Sequence, residues 1–145
     1  MGKRRNGRIL AVQFLYQIES NNPEDTVSAL SLFWNLTEAE DGLKDFARPR
    51  IDGVLKNRNR LDELIESASK NWNLTRMAAV DRCILRLALW EMFFEPNVPA
   101  VVAINEAVEV AKNLSTEESG SFVNGLLDRV RREHAKELKK QSSVS

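Results

Sequence analysis

Lys3, Arg4, Arg5 and Arg8 bring four positive charges and no negative one into the stretch KRRNGR. An arginine guanidinium is a planar fork that grips phosphate through two hydrogen bonds. On a helix that turns about 100° per residue, Arg4, Arg5 and Arg8 fall within roughly 100° of one another. Tyr16 follows on the same side two turns along, and an aromatic ring can stack an unpaired base. The combination suits the edge of a single-stranded RNA site. The spacing does not separate RNA from DNA or from an acidic protein, and a basic run of this kind also reads as a solvated face.

No other chemistry converges. His134 is the one histidine and sits beside Arg132, Glu133 and Lys136, a surface pattern. Cys83 is the one cysteine, so the pair cannot furnish a structural zinc site, and a lone cysteine in an apolar helix reads as a small buried residue. Asp81, Glu91 and Glu106 stand in apolar surroundings, where they read as partners of arginines such as Arg82 and Arg86 rather than as catalytic acids. Glycine-rich phosphate loops and nucleophile motifs are absent from the sequence. The expectation is a protein without catalytic residues, metal or cofactor.

The elements that would carry the arginines are helical. A chain of 145 residues suits one domain with a sizeable core. No apolar run approaches the roughly 18–20 residues of a membrane span, and ILAVQFLYQIE lacks the cleavage site of a secretory signal. The single cysteine fits a reducing cytoplasm. The 21 basic and 21 acidic residues cancel only on average. Residues 1–18 carry +4, residues 129–145 carry six basic and two acidic side chains, and the span between them is therefore at −8. A chain so divided presents a basic edge to a polyanion and an acidic face elsewhere.

Apolar residues recur at helical spacing between sparse glycines and prolines. Ala11, Phe14, Leu15 and Ile18 give one face of a first helix over residues 4–19. Pro23, with Glu24 and Asp25 behind it, starts a short second helix. LTEAEDG reads as a loop, followed by helices over 43–57 and 60–72, the latter ending at Trp72. RMAAVDRCILRLALWEMFFEP is apolar nearly all round, which places it in the middle of the molecule. VVAINEAVEVAK and a last helix through Val123, Leu126, Leu127 and Val130 complete an all-α fold of about seven helices, with residues 1–134 as one domain and 135–145 as a basic, flexible tail.

Particular stretches add a resemblance. VDRCILRLALWEM (80–92), VPAVVAINEAVEVAK (98–112), SFVNGLLD (121–128) and the arginine-led RRNGRILAVQFLYQ (4–17) are similar, in order, to the NusB family of bacterial transcription antitermination factors. The resemblance implies two small helical bundles packed across each other. It implies a non-enzymatic RNA-binding factor that joins NusE, a small-subunit ribosomal protein, on the boxA element of nascent ribosomal RNA. The pair then enters an RNA polymerase complex that reads through terminators. It carries RNA contact to Lys3, Arg4, Arg5, Arg8, Tyr16 and Phe122, and partner contact to Asp81 and Arg82. A homodimer burying the same surfaces is compatible with it. The alternative is a NusB-like accessory domain, such as that of a ribosomal RNA methyltransferase, but no nucleotide-binding αβ segment occurs in these 145 residues. Gly7 departs from a helix former within the arginine motif, at about 1 kcal/mol relative to alanine. The expectation is a first turn that orders on meeting RNA.

Overall fold

The computed structural model describes residues 2–69 and 74–138. Among these, the main elements are seven α-helices and one short 3-10 turn: α1 (Lys3–Asn21), α2 (Thr26–Thr37), α3 (Asp41–Lys56), α4 (Arg58–Ala68), the turn Leu74–Arg76, α5 (Ala79–Phe94), α6 (Ala100–Leu114) and α7 (Glu117–Glu133). The helices form two small groups. In the first, α1 packs along α3 and touches α2. In the second, α6 pairs with α7, and α4 packs on α5 and α7. Helix α5 meets α1, α3, α4, α6 and α7, which is the central place its all-round apolar sequence requires.

Several boundaries shift for identifiable reasons. Helix α1 begins at Lys3, so the arginine-bearing turn is helical despite Gly7. Its far end closes on Asn22, whose left-handed backbone (φ 45°) lets its N–H donate to the Ile18 carbonyl. Pro23 does not begin α2. Asp25 does, as an N-cap whose Oδ1 accepts from the Val27 N–H at 3.0 Å and the Ser28 N–H at 3.2 Å. Much of the expected loop LTEAEDG is helical, because α2 runs to Thr37 and α3 opens at Asp41. The helix expected to reach Trp72 ends at Ala68, and Trp72 lies outside the described residues. Beyond a turn at His134, residues 135–138 are helical again and Leu138 is buried in the core. The remaining tail, residues 139–145, lies outside the described residues.

Polar side chains cross the core at two levels. Glu91, on α5 and 1% exposed, accepts from Arg8 of α1 through both carboxylate oxygens, Nε and one terminal nitrogen each at 2.9 Å. Arg50 of α3 donates to the same carboxylate from Nε at 3.0 Å, and to the Phe46 carbonyl at 3.0 Å. Three helices therefore meet on one carboxylate. One level away, Arg86 of α5 donates to Asp62 of α4 at 2.7 Å and to Glu19 of α1 at 3.3 Å. Burial works against ionisation of Glu19, but the hydrogen bond from Arg82 and the charges of Arg86 and Arg82 hold its carboxyl below the usual range.

Close packing fixes two glycines. A Cβ on Gly53 would lie 2.0 Å from the indole nitrogen of Trp90, so α3 can approach α5 only with glycine there. A Cβ on Gly7 would lie 2.5 Å from Cδ1 of the Phe46 ring, which explains the departure from a helix former at that position.

Gly53→Ala displaces Trp90 or separates α3 from α5, an overpacking cost of about 2–3 kcal/mol, read as a lowered urea midpoint at constant slope. Arg8→Ala leaves Glu91 half-compensated in the core and costs about 3 kcal/mol, the low end of a broken buried pair because Arg50 remains. Roughly 10 °C of melting temperature is lost with it. Arg4→Ala, at an exposed position, leaves the melt unchanged.

Candidate functional site

The first turns of α1 converge on a cleft of about 640 Å³ between α1, α3 and the start of α6. Arg4, Arg5 and Arg8 line one wall, Phe46 and Arg50 another, and Val98, Pro99 and Val102 give it an apolar side. The Arg50 guanidinium carbon stands 3.6 Å from the centre of the Phe46 ring and that of Arg8 stands 5.2 Å from it, a cation–π arrangement that holds both cations in fixed orientation. Glu106, on α6, closes the cleft from the opposite side. Its carboxylate accepts from Arg5 twice, from Nε at 3.1 Å and from a terminal nitrogen at 2.7 Å, and from Arg8 at 3.4 Å. The Arg5 hydrogen bond, outweighing burial, holds the Glu106 carboxyl below its usual range.

The four basic residues of the N-terminus thus have different fates. Lys3 and Arg4 are exposed and form no ion pair with another described residue. Arg5 is half-buried and held by Glu106. Arg8 is only 4% exposed, with its fork filled by Glu91. The sequence reading treated Arg4, Arg5 and Arg8 as one exposed cluster; Arg8 instead belongs to the core. The carboxylates Glu91 and Glu106 do partner arginines, as expected, but the arginines are those of the N-terminus and of α3.

The other expected site residues do not join this cleft. Tyr16 is 44% exposed on α1, about 12 Å further along the helix axis than Arg8. Phe122 is half-buried on α7, packed against the core. Asp81 is buried at the start of α5. Its Oδ2 accepts from Ser119 at 3.4 Å, its Oδ1 has no partner among the described residues, and burial pushes its carboxyl above the ordinary value. Arg82 donates to Glu19 at 2.8 Å and to the carbonyls of Leu74 and Met77 at 3.0 and 2.6 Å. It fastens the 3-10 turn to α1 and keeps no donor fork free for a partner. Phe46, Arg50 and Glu106 were missed as site residues. Their common signal would have been the carboxylates set among apolar residues on α5 and α6, each of which demands a cation from elsewhere in the chain.

His134 is not a free surface group, since its ring packs edge-on to Phe93 with centroids 5.6 Å apart. Cys83 is buried, and burial pushes its thiol up to about 12. Among the described residues no cluster of three or more potential metal ligands occurs, and no helix is long and apolar enough to cross a membrane.

Comparison with known proteins gives this geometry a context. The sequence matches the profile of the NusB family over residues 5–132. A transcription antitermination protein NusB of Myxococcus xanthus is 47% identical over 135 residues, covering 90% of this chain and 95% of that protein. One from Geobacter sulfurreducens is 45% identical over 133 residues, covering 90% and 94%. The structure of T. maritima NusB superposes with a TM-score of 0.82 at 40% identity, covering 94% of this chain and 96% of that one. The fold also recurs, with a TM-score of 0.81 at 22% identity, in a crystal structure of antitermination factors NusB and NusE in complex with dsRNA; it covers 92% of this chain and 98% of that one. With a match that spans the arginine-bearing helix, the central helix and the α6–α7 pair, the chain belongs to the NusB family.

Proposed function

We propose that this protein is a transcription antitermination factor that acts in the cytoplasm, binding boxA-type single-stranded RNA together with NusE and entering an antiterminating RNA polymerase complex. Family membership supports this reading, and one observation of the molecule carries it: Lys3 and Arg4 stand exposed on the first helical turn without an ion-pair partner among the described residues, and Arg4 lines the arginine-walled cleft. Helix order matters, because a formed turn presents its cations without the entropic cost of folding on the ligand. The protein acts by binding and not by catalysis. His134 and Cys83 are packed or suppressed, and the carboxylate of Glu91 is held by two guanidinium groups.

The roles divide by exposure. Lys3, Arg4 and the outer edge of Arg5 contact phosphate. Arg8 positions the helix that carries them. Tyr16 offers a ring to a base or to the partner, and Phe122 supports the α7 surface. Asp81 and Arg82 contribute to partner binding indirectly, by fixing the start of α5.

At most about three phosphates are then engaged by the chain alone, and a single strand releases roughly 0.7 counterion per phosphate, so the expected salt slope is near −2. The test is a titration of fluorescent boxA RNA at several salt concentrations, with and without NusE. The expected outcome is weak binding alone and tighter binding for the pair. Lys3→Ala with Arg4→Ala should weaken binding and flatten the slope by about 1.4 while the melt is unchanged. Full RNA affinity in that folded double variant would return the basic run to a solvated face.

A further inference from the structure

We propose that Glu106 restrains RNA binding through backbone phosphate alone: it occupies the guanidinium fork of Arg5, so that such phosphate competes poorly for that arginine. The inference rests on the reading of α1 as the RNA-binding edge.

Two carboxylates meet the N-terminal arginines, and they differ in one decisive way. Glu91 is 1% exposed and lies between Arg8 and Arg50, sealed from any ligand. Glu106 is 19% exposed and Arg5 is 30% exposed, and both line the cleft. The Arg5–Glu106 pair is therefore the exchangeable one. Its geometry is that of a bidentate phosphate complex, with Nε and a terminal nitrogen each donating to a separate oxygen, at 3.1 and 2.7 Å. A phosphate that takes this fork must displace the carboxylate and remain beside it, because Glu106 keeps a second contact to Arg8 at 3.4 Å. Like charge at that distance opposes every phosphate equally, whatever the base attached to it. Contacts to phosphate position a nucleic acid and contacts to bases discriminate. A group that penalises phosphate uniformly lowers all affinities together without changing their ratios, so an RNA held by phosphate alone stays unbound at concentrations where one that also gains from its bases, or from the partner, still binds.

The experiment uses the full chain, a short oligouridine and a boxA RNA, with affinities measured across a salt series. Glu106→Gln keeps the side-chain shape and one acceptor and removes the charge. The expected result is roughly two- to fivefold tighter oligouridine binding, the range of a partly exposed ion pair, with a salt slope steeper by about 0.7. Glu109→Gln removes a charge from the same helix that acts on Arg5 only at a distance, without occupying its fork, and should give a smaller gain. In an Arg5→Ala background, Glu106→Gln should give little gain, because the fork it guards is gone. A thermal melt accompanies each variant, and affinities are scaled to the folded fraction.

Unchanged or weaker oligouridine binding in Glu106→Gln would overturn the proposal, as would equal gains from Glu109→Gln or a full gain in the Arg5→Ala background. Arg4→Ala is the separate control for the underlying reading. If it weakens RNA binding while Glu106→Gln has no effect, the RNA edge stands and the role of Glu106 falls. If Arg4→Ala has no effect either, the edge itself is misassigned.

Discussion

A carboxylate at 1% exposure cannot remain charged in a protein core unless cations surround it, and Glu91 has two of them. Arg8 reaches it from α1 and Arg50 from α3, while Glu91 itself rides on α5. The three helices that define the fold's centre are thus fixed against one another at one point. Phe46 completes the arrangement by lying against both guanidinium groups, and Gly7 is the residue that lets the ring come so close. The direction in which α1 enters the molecule follows from this contact. So does the exposure of Lys3 and Arg4, which lie about a turn earlier, at the end of the helix that projects past the core.

The same constraint explains how a basic terminus coexists with zero net charge. Part of the N-terminal charge is neutralised inside the protein, by Glu91 and Glu106, rather than by solvent or by a ligand. What is left over for a polyanion is smaller than the count of basic residues suggests. On the proposed reading, the architecture therefore favours weak intrinsic affinity for RNA, with selectivity supplied through a second protein.

Much of the fold was legible because its signal is periodic. Ala11, Phe14, Leu15 and Ile18 mark one face of α1, and the all-round apolarity of residues 79–94 marks a helix with neighbours on every side. Boundaries were less legible where capping competes with propensity, as at Asp25, whose side chain starts α2 two residues after the proline. The site was half legible. Four cations at a terminus are visible in any sequence, but the partition among them depends on contacts between residues 83 and 98 positions apart. A local clue did exist: Gly7 and Arg8 lie four and three residues before Ala11, on the same stripe as the core residues that follow. Extending the apolar face backwards by one turn puts Arg8 inside. The composition of that turn, read as charge alone, puts it outside.

Cys83 has a practical meaning that extends beyond its chemistry. Its thiol is buried, pushed up to about 12, and donates to Glu19 at 3.5 Å at the junction of α1 and α5. A thiol in that state reacts with alkylating reagents only when the surrounding helices part. Because it is the one cysteine in the chain, the rate of its modification is a clock for the opening of the α1–α5 junction, measurable by mass spectrometry without any engineered probe. Slowing of that clock by RNA or by a protein partner would register how firmly each ligand locks the first helix onto the central one.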